Sequence, residues 1–135
     1  MAASQRATAA TPHVLVYKTP SCGCCSGWVE HMRAAGFPVT AKDVPNTTPA
    51  RQQLGMPDEF AACHTASVGG YVIEGHVPAA EVRRLLGSRP AAIGLVVLGM
   101  PLGSPGMEVD GRLDPYEVLL VDRKGASSVF ARYPK

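Results

Sequence analysis

The sequence has no long apolar run and no concentration of positive charge. Its longest apolar segment, residues 93–100, contains two glycines and is far shorter than the ~18 residues of a membrane-spanning helix. The 13 lysines and arginines are scattered along the chain, and the formal net charge is only +2. A nucleic-acid-binding protein usually carries a basic patch or stripe. We therefore expect neither membrane insertion nor nucleic-acid binding.

Charged residues are also scarce, at 18% against 46% apolar residues in a chain of 135. A chain of this length buries a hydrophobic core as one domain without needing disulfides. The first dozen residues are small and polar and lack the apolar central region of a secretory signal, so we expect no export signal in them. The alternative is that they are the start of a mature exported protein that carries an added Met1. We predict a flexible N-terminal leader at residues 1–12 and a single domain at residues 13–135.

Cysteine is rare but strongly clustered. Of four cysteines, Cys22, Cys24 and Cys25 lie within four consecutive positions, and Cys63 is followed directly by His64. Three cysteines this close cannot all pair with one another, so structural disulfides alone do not explain them. Because the thiolate is both the redox nucleophile and the soft-metal ligand, the cluster favours one of these two roles.

The order of the elements predicts an α/β fold. Residues 13–17 are typical of a buried strand, and residues 24–35 carry apolar side chains at helical spacing before Gly36 ends the helix. A second strand at residues 37–44 completes a βαβ unit, which predicts a parallel pair. The later elements are predicted as a short helix at 49–56, a turn near 58–60, a β-rich region at 67–74, a helix from Pro78 to a stop at Gly87, and strands at 93–98, 116–122 and 128–133.

This order matches a thioredoxin-like βαβ core with a C-terminal β-rich extension. Gly69 and Gly70 predict a bulge or a turn inside the β-rich region. Residues 123–125 predict a hairpin between the last two strands, and residues 99–111 form a loop rich in Gly, Pro and Met.

Cys22 and Cys25 form a C-x-x-C pair where the first strand meets the first helix. The positive end of a helix lowers the pKa of a nearby thiol from about 8.5 by one or more units, as in thiol-disulfide oxidoreductases. Cys24, however, occupies a spacer position, where it offers a competing disulfide partner and a third sulfur. A further alternative is one Cys22–Cys25 disulfide with two unimportant thiols.

A soft-metal site makes better use of the third sulfur. A structural zinc site usually takes two ligand pairs that are far apart in sequence, and three ligands from four consecutive residues strain its tetrahedral closure. Cu(I) suits thiolate ligands, and it accepts two or three of them. Further soft ligands are available in Met32, Met100 and Met107, although Met32 lies on the apolar stripe of the helix and is typical of a core residue.

The other candidate side chains have weaker signals. His64 is the best histidine for a ligand, because it adjoins Cys63. His76, before Pro78, is predicted to order a turn or cap the following helix, whereas His13 and His31 are predicted to be exposed. Lys18 either lowers the pKa of a nearby thiol or is simply solvated.

Several motifs resemble the CopG-type metal-binding family, long catalogued only as a domain of unknown function. They are S-C-G-C-C followed by Trp28, then Cys63-His64-Thr65, Gly70-Tyr71, Glu74-Gly75-His76-Val77-Pro78, Gly99-Met100-Pro101 and Gly103-Ser104-Pro105-Gly106-Met107-Glu108. They occur in the same order as in the family, and the similarity runs from Val14 to Tyr133. The resemblance implies a periplasmic copper-resistance protein with a thioredoxin-like fold, and a copper oxidoreductase that interconverts Cu(I) and Cu(II).

Carried over by position, the resemblance implies metal ligands at Cys22, Cys24, Cys25 and Cys63, with His64, His76 and Met107 as supporting groups. It implies copper as the bound ion, and periplasmic copper chaperones or efflux components as partners. Thr65-Ala66 stands where thioredoxins carry a proline that holds the substrate. The absence of this proline counts against disulfide exchange on protein substrates.

Overall fold

The computed structural model describes residues 11–135, so all but the last two residues of the predicted leader lie outside the described residues. Seven strands are present in this part of the chain: β1 Val14–Lys18, β2 Val39–Asp43, β3 Thr65–Val68, β4 Tyr71–Glu74, β5 Ala92–Val96, β6 Tyr116–Asp122 and β7 Ser127–Tyr133. Three α-helices and a short 3-10 helix connect them: α1 Gly23–Ala34, α2 Thr48–Leu54, the 3-10 helix Asp58–Phe60 and α3 Ala79–Ser88.

All seven strands belong to one mixed sheet in the order β2-β1-β3-β4-β5-β6-β7. The pairs β1–β2 and β4–β5 are parallel, and α1 and α3 connect them. The other neighbouring strands are antiparallel. The predicted α/β class, the parallel βαβ start and the C-terminal β-rich extension are therefore confirmed, whereas the thioredoxin-like detail stays a prediction.

The β-rich region predicted at residues 67–74 is a hairpin. Gly69 and Gly70 form a two-residue turn with φ angles of 56° and 88°, and β3 and β4 pair in register on either side of it. Two consecutive positive φ angles are typical of the turn that matches the right-handed twist of a hairpin. Of the two alternatives for these glycines, the turn is the one observed.

The end of α3 differs from the prediction. Gly87 lies inside the helix, which continues to Ser88, and the left-handed residue that ends it is Arg89 with φ of 50°. The Arg89 guanidinium donates a hydrogen bond of 2.8 Å to the Gly69 carbonyl and lies 4.9 Å from the centre of the Tyr71 ring. These tertiary contacts hold a non-glycine residue in a conformation that glycine adopts more readily.

The central strand β4 is buried on both of its faces. Successive side chains of a strand point to opposite faces of the sheet. Accordingly, Tyr71 and Ile73 of β4 pack in the larger apolar cluster on one face, and Val72 packs in the smaller cluster on the other. The larger cluster contains Trp28 and Met32 of α1, and both are fully buried, which confirms Met32 as a core residue. Within residues 11–135, no helix is both long and apolar enough to cross a bilayer.

Candidate metal centre

Two neighbouring strands bring the four cysteines together. Cys22 is the N-cap residue of α1, which begins soon after β1 ends. Cys63 lies just before β3, and Thr65 pairs with Tyr17 near the end of β1. Because β1 and β3 are antiparallel, the chain that leaves β1 and the chain that enters β3 meet at the same end of the sheet.

The cysteine sulfurs form one cluster in two chemical states. Cys22 and Cys25 are joined by a disulfide, whereas Cys24 and Cys63 are free thiols. The Cys24 Sγ lies 3.4 Å from the Cys22 Sγ, and the sulfurs of Cys22, Cys24 and Cys63 all lie within 4.8 Å of one another. The fold thus assembles the predicted cysteine set, with two of its sulfurs bonded to each other.

The two sulfurs of the disulfide differ in accessibility. Cys25 is fully buried, and its Sγ lies 3.7 Å from the Cys63 carbonyl oxygen. Cys22 is only partly buried at the start of α1. An external thiolate must reach the sulfur that it attacks, so Cys22 is the accessible end of the disulfide.

The Cys63 thiol is protonated at neutral pH. Burial, the neighbouring Cys24 thiol and the Glu74 carboxyl together raise the pKa of Cys63 to about 12. A metal ion binds the thiolate form, so binding at Cys63 requires the ion to displace this proton. The free Cys63 thiol is therefore a weak nucleophile at neutral pH, and a metal ion that binds there releases one proton.

Met100 brings a further sulfur to the cluster. Its Sδ lies 3.6 Å from the Cys24 Sγ, and 51% of the residue is exposed to solvent. The resemblance assigned Met107, which lies in the same loop and whose backbone bonds to Gly103 and Ser104. The sequence indicates Met100 only as one of several spare soft ligands. Its contact with Cys24 spans 76 positions, and a contact over that separation is not visible in local sequence patterns.

Two glycines fix the loop against the cysteine helix. A Cβ atom on Gly106, whose φ is 91°, would lie 2.6 Å from the Cys24 carbonyl oxygen, and one on Gly27 would lie 2.9 Å from the Gly106 Cα. Real Cβ atoms do not approach other heavy atoms this closely. Glycine at both positions lets the loop backbone lie directly on the first turns of α1.

His64 and His76 lie together behind the cysteines. Both are fully buried, and their ring centres are 5.1 Å apart in an edge-to-face arrangement. The His76 Nδ1 donates a hydrogen bond of 2.7 Å to the Pro105 carbonyl, so His76 anchors the loop rather than the adjacent turn.

The helix cap expected from His76 is instead made by His31, whose Nε2 accepts a 3.0 Å hydrogen bond from the Ala79 N–H at the start of α3. The expectation that His31 is exposed is wrong, because this contact partly buries it.

The remaining candidates lie at the edge of the site or outside it. His13 is exposed, as predicted, and contacts the Thr40 hydroxyl at 2.8 Å. Lys18 forms an ion pair of 2.7 Å with Asp43, its register partner on β2. It is therefore neither simply solvated nor directed at a thiol.

Glu74 is a buried carboxyl group that the sequence reasoning missed. It accepts hydrogen bonds from the Ala62 N–H at 2.8 Å and the Thr65 hydroxyl at 2.7 Å, on either side of Cys63 and His64. Burial raises the pKa of Glu74 to about 7, although these two donors and Arg51 act in the opposite direction. The sequence signal for a buried Glu74 is a carboxylate that directly follows the apolar strand residues and precedes Gly75.

Two solved structures are similar to this chain over nearly its whole length. Both are titled copper resistance protein copG, one as Form 1 and the other as Form 2. Each is 40% identical with a TM-score of 0.86, and the similarity covers 92–93% of this chain and 99% of each of theirs. The chain belongs to the CopG family.

A second comparison agrees with the CopG assignment. The family described as a protein of unknown function, DUF411, matches residues 60–107, and no curated protein matches the chain. The matched range contains Cys63 and both buried histidines but not the cluster at residues 22–25. Membership of the CopG family for the whole chain therefore follows from the two structures.

Once the Cys22–Cys25 disulfide is reduced, the donor set at this position in the CopG-family chain fits a soft metal. Three cysteine sulfurs lie within 4.8 Å of one another, and a methionine sulfur contacts one of them. Thiolate and thioether ligands select Cu(I) over hard cations such as Mg²⁺. Among the residues that the structure describes, Cys22, Cys24 and Cys63 are the one group of three or more Cys, His, Asp or Glu side chains that could hold a metal ion.

Proposed function

We propose that this CopG-family chain is a copper-binding protein of the bacterial cell envelope that acts in copper resistance. With the Cys22–Cys25 disulfide reduced, it holds Cu(I) as cargo between the sulfurs of Cys22, Cys24, Cys25 and Cys63, with His64, His76 and Met107 as supporting groups. The observation that carries the proposal is the convergence of three cysteine sulfurs within 4.8 Å. The names of the two similar structures support copper as the metal.

The Cys22 and Cys25 pair gives the site a source of electrons for reducing Cu(II) to Cu(I) when the disulfide seen here has been reduced to two thiols. When Cys22 and Cys25 are both thiols, they can reduce two Cu(II) ions to two Cu(I) ions. The two sulfurs then form the disulfide and release two protons. The adjacent thiols of Cys24 and Cys63 remain available for the Cu(I) produced, because neither takes part in that disulfide.

A periplasmic location, with copper chaperones or efflux components as partners, belongs to the same proposal. Its support is the copper-resistance name of the similar structures. An exposed sulfur at Met100 beside Cys24 is a suitable first contact for copper delivered by another protein, because 51% of this residue faces solvent.

Metal analysis of defined variants tests copper binding. The reduced protein is loaded with Cu(I) under anaerobic conditions, and the ratio of copper to protein is measured. We expect Cys24→Ser and Cys63→Ser each to lower the ratio, because each removes one sulfur of the cluster. His13→Gln, at an exposed histidine outside the site, is the control. An unchanged copper ratio in both cysteine variants would show that the proposed site is wrong.

A thiol-disulfide oxidoreductase is the second candidate function. It is favoured by the Cys22–Cys25 disulfide at the N-terminus of α1, the usual position of a redox-active C-x-x-C pair. It predicts turnover of a dithiol substrate that survives Cys24→Ser and Cys63→Ser but is lost in Cys22→Ser. Turnover that requires Cys24 and Cys63 would contradict it.

A further inference from the structure

Cys63 is held in place differently from the other three cysteines. Cys22, Cys24 and Cys25 lie at the N-terminus of α1, so one helix sets their spacing. Cys63 lies in the irregular backbone of residues 61–64, between the 3-10 helix and β3. Such segments are generally more mobile than the helices and strands that they connect. The sulfur of Cys63 therefore stays in the cluster only if other contacts hold this segment.

The Glu74 carboxyl group holds the segment on both sides of Cys63. Its Oε2 accepts a hydrogen bond of 2.8 Å from the Ala62 N–H, and its Oε1 accepts one of 2.7 Å from the Thr65 hydroxyl. Glu74 and Thr65 are register partners on β4 and β3, so the Glu74 side chain reaches the segment from a neighbouring strand. One side chain of the sheet thus ties down the residue before Cys63 and the second residue after it.

A buried arginine holds the Glu74 carboxyl group from the other side. The Arg51 Nη1 lies 3.7 Å from the Glu74 Oε2, and both side chains are buried. Arg51 itself donates a hydrogen bond of 3.1 Å to the Thr48 hydroxyl and pairs with Asp58 at 3.4 Å. Buried ion pairs add little net stability, because both charges lose their hydration. The contacts with the segment that carries Cys63 give this buried pair a role besides stability.

The spacing of the sulfurs leaves little room for movement of Cys63. The sulfurs of Cys22, Cys24 and Cys63 lie within 4.8 Å of one another. Metal–thiolate bonds are about 2.3 Å long, so two sulfurs that share an ion lie at most about 4.6 Å apart. A displacement of the segment away from α1 therefore takes the Cys63 sulfur out of reach of an ion bound by the other cysteines.

We propose that Glu74 is a positioning residue that, together with the Thr65 hydroxyl, holds Cys63 at the distance from Cys22 and Cys24 that a shared metal ion requires. Glu74 acts through the backbone on either side of Cys63 and is not itself a ligand. This rests on the proposed copper-binding function and deepens it. Without the Glu74 contacts, the ion keeps only the ligands that α1 supplies.

The Cu(I) affinity of reduced variants, measured by competition with a chromogenic chelator, tests this role. We expect Glu74→Ala to weaken Cu(I) binding about 10- to 100-fold, as is typical when a group that orients a metal ligand is lost. Glu81→Ala is the matched control. It also removes a fully buried, hydrogen-bonded carboxylate, whose partners are Arg84 and Tyr133, and we expect wild-type affinity. Equal losses in the two variants would show that the positioning role is wrong.

Two variants of Thr65 decide the question if Glu74→Ala fails to fold. Valine has nearly the shape of threonine but no hydroxyl group, so we expect Thr65→Val to weaken Cu(I) binding by a smaller factor than Glu74→Ala. Serine keeps the hydroxyl donor, so Thr65→Ser should restore the affinity of the wild-type protein. The same affinity in the valine and serine variants would contradict the positioning role.

A double-mutant cycle separates this inference from the function on which it rests. In the Cys63→Ser background, we expect Thr65→Val to change neither the Cu(I) affinity nor the thiolate-to-copper absorption band further, because the sulfur that it positions is gone. Additive losses would overturn the positioning role and leave the copper site standing. If Cys63→Ser alone binds Cu(I) as tightly as the wild-type protein, Cys63 is not a ligand, and both the positioning role and the proposed site are wrong.

Discussion

The Met100 thioether and the Cys24 thiol are in direct contact, with 3.6 Å between their sulfurs. This contact joins the loop between β5 and β6 to the first turn of α1. It adds a fifth sulfur to the four cysteines, on the side of the cluster that faces solvent. The C-terminal extension therefore contributes to the candidate metal centre as well as to the sheet.

Replacing this thioether with a hydrocarbon tests its contribution. We expect Met100→Leu to weaken Cu(I) binding by about tenfold, or ~1.4 kcal/mol, because leucine has a similar volume but no sulfur ligand. Competition with a chromogenic Cu(I) chelator measures the affinity. Met107→Leu is the matched variant in the same loop. A loss confined to Met107→Leu would show that the residue assigned by resemblance is the ligand and Met100 is not.

The contact between Gly106 and α1 predicts a stability difference between two glycines of one loop. Alanine at Gly111, whose φ is 73°, has no atom within 4 Å of its Cβ, whereas alanine at Gly106 would meet the Cys24 carbonyl at 2.6 Å. We expect Gly111→Ala to cost roughly 1–2 kcal/mol of unfolding free energy from backbone strain alone. Gly106→Ala should cost roughly 2–4 kcal/mol because overpacking is added. Urea denaturation checks this, and equal losses would contradict the close packing of the loop.

Glu81 predicts a pH-dependent contribution to stability. Its buried carboxylate accepts hydrogen bonds from Tyr133 at 2.5 Å, Lys135 at 2.9 Å and Arg84 at 3.0 Å. Burial by itself raises the pKa of Glu81, but these three donors outweigh it and hold the pKa below the ordinary value of 4.5. Because the pKa is lower in the folded state, the carboxylate stabilises the protein above the ordinary value. That contribution is lost as the pH falls through the folded-state pKa.

Glu81→Gln isolates this contribution. At pH 7 we expect the variant to be less stable by about 2 kcal/mol, because it loses hydrogen bonds to charged donors. The difference should shrink when urea denaturation is repeated near pH 3. A difference of the same size at both pH values would show that the loss reflects packing and not charge.

Local sequence signals were enough for the elements that short-range patterns control. The strand predicted at residues 116–122 is β6 at the same residues, and the hairpin at residues 123–125 is confirmed. The first helix was also predicted within one residue at each end, because Gly36 adopts the positive φ that ends it. Turn glycines and apolar periodicity act within a few residues, so they are visible in one sequence.

The features that were wrong or missed depend on contacts between distant residues. Arg89 ends α3 in place of Gly87 through its bond to Gly69, and His31 caps α3 across 48 positions. The Met100 contact and the role of Glu74 likewise require residues that only the fold brings together. The cysteine spacing left open whether Cys22 and Cys25 are thiolates or a disulfide, because both states have the same sequence.

The copper-to-protein ratio, measured together with the number of free thiols, tests the central claim most directly. Protein purified without reductant should have two free thiols, at Cys24 and Cys63. Reduction of the Cys22–Cys25 disulfide should raise the number to four and increase the Cu(I) that the protein retains under anaerobic conditions. If the retained Cu(I) is the same before and after reduction, and is unaffected by Cys24→Ser and Cys63→Ser, the cysteine cluster is not a copper site.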